Sequence, residues 1–134
     1  MFIKNSSNEI VNLNHVLYVR VYGDRAPYEI HIFTGDNRLV LQYNSNDELK
    51  NSLKILKEAM HRSTPQWFEL QDPDYYLRAD KVKNVIAWNN SIKVVFDNYE
   101  LLIYCRGNKP ENYLTQITDY MDDFSDDDSA VISL

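Results

Sequence analysis

The sequence predicts an α+β fold of two tandem pseudo-repeats, each with about four to five antiparallel strands followed by one helix. Three observations carry that expectation. Met1–Tyr22 lies without a gap on Trp67–Trp88 at a spacing of 66, which sets Phe2, Val11, Val16 and Val19 against Phe68, Leu77, Val82 and Val85. Each segment runs on through a short apolar hairpin, Tyr28–Tyr43 or Ile92–Cys105. Each half then ends in a stretch of helical periodicity, Asp47–Met60 or Glu111–Met121. A repeated unit bounds architecture before any chemistry is considered.

The elements follow in order. Phe2–Lys4 is a short strand and Ser6-Ser7-Asn8 a turn. Ile10–Tyr22 is a longer strand region, because its branched and aromatic residues suit a pleated, half-buried surface. Gly23-Asp24-Arg25-Ala26-Pro27 is a loop. Tyr28, Ile30 and Ile32 then alternate with Glu29 and His31, the period of a strand with one wet face, and Thr34-Gly35-Asp36-Asn37 turns into Leu39–Tyr43. Ser45 with Glu48 has the spacing of a capping box, and Leu49, Leu53, Leu56 and Met60 fall on one face of a helix from about Asn46 to His61. After His61-Arg62-Ser63-Thr64-Pro65 the pattern restarts with strand Trp67–Leu70, a turn through Asp74, strand region Tyr75–Trp88 and the hairpin around Asp97-Asn98. Asn108 is placed to cap the second helix, with Pro110 in its first turn and Leu114, Ile117 and Met121 as its apolar stripe. The expected units are 1–62, 66–124 and an acidic, flexible tail 125–134, sharing one compact body.

The order of apolar strand, turn, Val11-Asn12-Leu13-Asn14-His15-Val16, strand, Gly-containing hairpin, strand and Ser45-x-x-Glu48 helix resembles small flagellar FlbD-like proteins and, more distantly, LytTR-type domains. The second half carries the pattern more faintly, with Arg78 in place of Asn12 and Asp97 in place of Gly35. The resemblance implies a strand-rich regulatory or interaction module and supplies no catalytic residue.

Composition narrows the function. Fourteen Lys and Arg against 20 Asp and Glu give a net charge of −6, which opposes non-specific binding to phosphate backbones. Six of the acids are Asp119, Asp122, Asp123, Asp126, Asp127 and Asp128, so the chain before Asp119 holds 14 acids and 14 bases. Cys105 is the one cysteine and sits in an apolar run, which excludes a disulfide framework and fits a reducing cytoplasm. No stretch has the length and apolarity of a membrane span or a secretory signal.

Catalytic and metal chemistry have little footing. His15, His31 and His61 lie far apart without metal-ligand spacing, no nucleophile elbow occurs, and Asp72-Pro73-Asp74 reads as turn chemistry. No cofactor or metal is expected, nor an enzyme. Asp122–Asp128 offers oxygen ligands, but Phe124 at the third position, the lack of Gly at the sixth and Ser133 in place of a bidentate Glu fail the EF-hand pattern. Calcium binding by the acidic tail is therefore the third reading.

The first reading is a small acidic cytoplasmic protein-binding module of regulatory, inhibitor, immunity or adaptor type. Its expected docking residues are Tyr18, Tyr22, Tyr28, Tyr76 and Trp88 on a tyrosine-rich sheet face, with Asp126, Asp127, Asp128 and Leu134 in the tail. Another protein is the expected partner, a homodimer is left open, and neither membrane nor nucleic acid is expected. The alternative is a single-stranded nucleic-acid binder that stacks bases on that face and recruits partners with the tail. The absence of an evident basic stripe beside the rings ranks it second.

Overall fold

The computed structural model describes residues 2–5, 7–63, 66–70, 74–105 and 109–123. Among them β1 (Phe2–Lys4), β2 (Ile10–Asn12), a 3₁₀ turn (Leu13–His15), β3 (Tyr18–Tyr22), β4 (Tyr28–Phe33), β5 (Arg38–Tyr43) and α1 (Asn46–Ser63) make up the first half. The second holds β6 (Trp67–Leu70), β7 (Tyr75–Arg78), a 3₁₀ turn (Ala79–Lys81), β8 (Asn84–Trp88), β9 (Ser91–Val95), β10 (Glu100–Tyr104) and α2 (Pro110–Asp123). The class is α+β, built on antiparallel sheets. The acidic tail 125–134 and the Asn108 cap lie outside the described residues.

The two strand regions Ile10–Tyr22 and Tyr75–Trp88 are each broken by a 3₁₀ turn. In the first, Asn12 Oδ1 accepts the Asn14 N–H at 3.0 Å, a side-chain bond that competes with the strand ladder. Val16 N–H then bonds back to Leu13 O, as Val82 N–H does to Ala79 O. Hydrophobic pattern alone does not mark such breaks.

The order of elements is the same in both halves, but the pairing differs. β1–β2 is a two-stranded sheet of its own, whereas the β6–β7 hairpin joins β3, giving a five-stranded sheet ordered β5-β4-β3-β7-β6. β8, β9 and β10 form a three-stranded meander. The joining register sets Tyr18 opposite Leu77, Val19 opposite Tyr76 and Arg20 opposite Tyr75.

Period-two alternation divides the five-stranded sheet into two buried faces. On one, Val19, Val21, Ile30, Ile32, Trp67 and Tyr76 pack with Leu49, Leu56 and Met60 of α1, and Leu53 closes against them. On the other, Tyr18, Phe68, Leu70 and Leu77 meet Ile92, Val94 and Ile103 of the meander and Tyr113 and Ile117 of α2. Each fully buried aliphatic side chain in these layers contributes on the order of 2 kcal/mol. The helical stripes read from the sequence thus face the sheets, but α2 buries Tyr113 as well, which that stripe omits.

Arg78 ties the halves together. Its side chain is buried, and Nη1 donates to Leu13 O at 3.0 Å while Nε and Nη2 donate to Asp80 Oδ1 and Oδ2 at 2.8 and 2.7 Å. The guanidinium also lies 5.5 Å from the Trp67 ring centroid. Arg78→Ala would leave the Leu13 carbonyl with the Val16 N–H alone, unpair Asp80 and empty the space beside the Trp67 ring, so denaturant unfolding should show a loss of about 2 kcal/mol. Burial works against ionisation of Asp80, yet the hydrogen bonds and charge of Arg78 outweigh it and hold the carboxyl below the usual carboxylate range. That contribution is present above the unfolded value of about 3.9 and is lost as pH falls through the folded one. Asp80→Asn should therefore lower the melting temperature at neutral pH, with the gap from the parent narrowing in scanning calorimetry as pH falls below the ordinary carboxylate range.

Candidate nucleic-acid interface

Helix α1 begins where the sequence places it. Ser45 Oγ accepts the Glu48 N–H at 3.2 Å, and the Glu48 carboxylate reaches one residue beyond the usual capping box to accept the Asn44 N–H at 3.1 Å. Asn46 Nδ2 donates to Gly23 O and fixes the start of the helix to the β3–β4 loop. With Leu49, Leu56 and Met60 turned to the sheet, the helical repeat carries Lys50, Lys54, Lys57 and His61 onto one adjoining strip about 60° wide and about 17 Å long. No acid falls within that strip. It borders an open groove of about 690 Å³ lined by Lys50, Leu53, Lys54, Lys57, Glu58, His61 and Arg62, so five basic side chains share it with one acid.

At Lys57 the strip meets strands β6 and β7. Lys57 Nζ lies 3.2 Å from Glu69 Oε1 and 5.4 Å from the Tyr76 ring centroid, and Tyr76 Oη donates to the same carboxylate at 3.4 Å. Lys57 is thereby partly neutralised. Lys50 and Lys54 make no ion pair among the described residues, so their charge is available to an incoming anion.

A second exposed surface is the outer face of the meander. Ile86, Trp88 and Tyr104 are 47%, 53% and 67% exposed there. Trp88 and Tyr104 both lie opposite Ser91, and Lys93 lies between Ile86 and Leu102 with its Nζ 5.2 Å from the Trp88 ring centroid.

The expected docking residues do not share one face. Tyr18 is buried between the sheets, stacked on Phe33 at 4.3 Å, with its hydroxyl 3.0 Å from that of Tyr99. Tyr22 is half-buried on the same side, between the Arg20 guanidinium at 4.5 Å and the His31 ring at 4.6 Å. Tyr28 and Tyr76 are on the opposite side, in the layer under α1. Trp88 is on the meander. Asp126, Asp127, Asp128 and Leu134 lie outside the described residues. The α1 lysines and Tyr104 were not among the expected site residues, although the spacing Lys50, Lys54, Lys57, His61 is a readable helical signal.

Among the described residues, no three His, Cys, Asp or Glu side chains gather as a metal site, and no helix is long and apolar enough to cross a membrane. Burial pushes the Cys105 thiol above its ordinary value.

Comparison by sequence gives no matching protein family and no matching curated protein. By fold, the chain is similar to the LytTr DNA-binding domain of a protein described as a methyl-accepting/DNA response regulator from Bacillus cereus. The TM-score is 0.50 at 9% identity, over 87% of this chain and 94% of that one. The LytTR-like resemblance thus holds at the level of fold, and both halves together make up one such fold.

This likeness corrects two expectations. A protein-docking module was the first expectation and nucleic acid the second, whereas the solved fold that the chain is similar to is described as a DNA-binding domain, which favours the nucleic-acid alternative. Net charge averages over the sequence, whereas a phosphate responds to charges within a Debye length, about 8 Å at physiological salt.

Burial, followed by the charges of Glu69 and Asp74, pushes the Tyr76 phenol well above its ordinary value. A raised folded value stabilises the chain below the unfolded value, near 10, and that stabilisation is lost as pH rises through the folded one. Tyr76→Phe should flatten the alkaline limb, so that stability measured in denaturant from about pH 9 to 12 falls less steeply than in the parent.

Proposed function

We propose that this protein binds nucleic acid, with the cationic strip of α1 as its contact to the phosphate backbone. The observation that carries the reading is the alignment of Lys50, Lys54, Lys57 and His61 on one uninterrupted helical strip, with two of the lysines free of ion pairs among the described residues. A strip of about 17 Å spans roughly five phosphates of one strand at 3.4 Å of axial rise each. The likeness to a LytTr DNA-binding domain supports DNA as the polymer. The role is binding rather than catalysis, and the lone buried thiol of Cys105 suits the reducing cytoplasm, where such a polymer is met.

The net charge of −6 makes the binding strongly dependent on salt and on place. Anions are drawn to the local positive potential of the strip rather than to the chain as a whole. Fluorescence anisotropy with a labelled DNA duplex, across a salt series, tests this directly. The parent should bind with a log–log salt slope of several units, and Lys50→Glu with Lys54→Glu should weaken binding and reduce that slope by about two. Both substitutions are on exposed positions, so circular dichroism and melting should stay close to the parent. An unchanged salt slope in the double variant would remove α1 from the interface.

A further inference from the structure

We infer that the outer face of the β8–β10 meander is a base-stacking platform for single-stranded nucleic acid, with Trp88 and Tyr104 as the contacting rings. The inference rests on the nucleic-acid reading and adds to it the strand form and a second surface, on a different sheet from the α1 strip.

Two aromatic side chains stand more than half exposed on a sheet face that no other described element covers. The register puts them in one row, on either side of Ser91. Ser91 is small and buried, so the middle of the row is low while its two ends carry rings. With strands about 4.8 Å apart, the two ring-bearing positions are separated by about 10 Å. A flat base in van der Waals contact on both sides needs roughly 7 to 8 Å. The row therefore has room for one base between the rings or one against each.

The charge around the row fits a nucleotide as well. Lys93 holds its ammonium 5.2 Å from the Trp88 ring centroid, and its exposed pairing with Glu100, at 3.6 Å, is of the weak kind that a phosphate can displace. The turn that follows Trp88 presents Asn89, in a left-handed conformation at φ 54°, and Asn90, both exposed, as amide donors and acceptors beside the ring.

The size of the patch argues against a protein occupant. Three exposed side chains with Leu102 offer on the order of 400 Å², about half of what one partner contributes to a stable protein interface. A duplex also keeps its base faces stacked internally, so only a single strand can lay them on these rings.

The tryptophans make the test direct, because Trp67 is buried at 3% exposure and Trp88 is exposed. The full chain is titrated at low salt with a twelve-nucleotide oligothymidylate, with a duplex of the same length, and with thymidine monophosphate at equal base concentration. Intrinsic fluorescence and anisotropy of a labelled strand are read in parallel. The single strand should quench the Trp88 emission, while the duplex and the mononucleotide leave it nearly unchanged. Trp88→Leu should abolish the quench and weaken single-strand binding on the order of tenfold, with duplex binding and melting temperature close to the parent. Tyr104→Leu should weaken single-strand binding while the quench persists. Single-strand binding without a quench, or with unchanged affinity in both variants, would overturn the platform and leave the α1 reading standing. Equal quenching by the mononucleotide would overturn the strand form. No binding of either polymer by anisotropy would remove the nucleic-acid reading itself, and the platform with it.

Discussion

Everything in this fold hangs on the antiparallel pairing of β3 with β7. It makes one five-stranded sheet out of a meander from the first half and a hairpin from the second, and it fixes which side of that sheet each residue takes. A slip of one residue would send Tyr76 and Arg78 to the meander side and Leu77 to the helix side, which is why the register is strongly specified. Arg78 secures it, since its backbone N–H donates to Leu17 O at 2.9 Å and its guanidinium reaches Leu13 O. Once the two faces are set, α1 has one side of the sheet to cover and the meander has the other.

The division explains how an acidic chain carries a cationic surface. α1 buries its leucines against the sheet, and the 3.6-residue repeat leaves four basic side chains on the strip beside them. Glu69 neutralises one of these from the sheet below, and Asp47, Glu48 and Glu58 belong to the rest of the exposed helix surface. Net charge is a property of the whole sequence, but affinity for a polyanion depends on what lies within a screening length of each phosphate.

Much of the architecture was legible in the sequence because it is written in local periodicity. The alternation of Tyr28, Ile30 and Ile32 and the spacing of Leu49, Leu53, Leu56 and Met60 specify a strand and a helix with defined inner faces. Pairing between distant strands leaves no such trace, so the placement of β6–β7 beside β3 was not readable, nor were the two 3₁₀ turns inside long apolar runs. The tyrosine-rich face failed for the same reason, because composition does not say on which side of a sheet a ring will fall. Tyr18 and Tyr22 take one side, Tyr28 and Tyr76 the other. The spacing of the α1 lysines is legible in the sequence beside the apolar stripe, since both follow the helical repeat.

The pairing of β3 with β7 also dictates an order of events during synthesis. When α1 leaves the ribosome, β3, β4 and β5 can already form their meander under it, but the free edge of β3 has no partner until Arg78 has emerged. For that interval the chain presents an open strand edge beside a half-covered apolar face, the arrangement by which nascent chains pair with one another. The strand that eventually closes the edge carries Tyr75, Tyr76 and Leu77, all of which end up buried. The layer under α1 can therefore close with β7, whereas the opposite layer waits for Ile92, Ile103 and Tyr113.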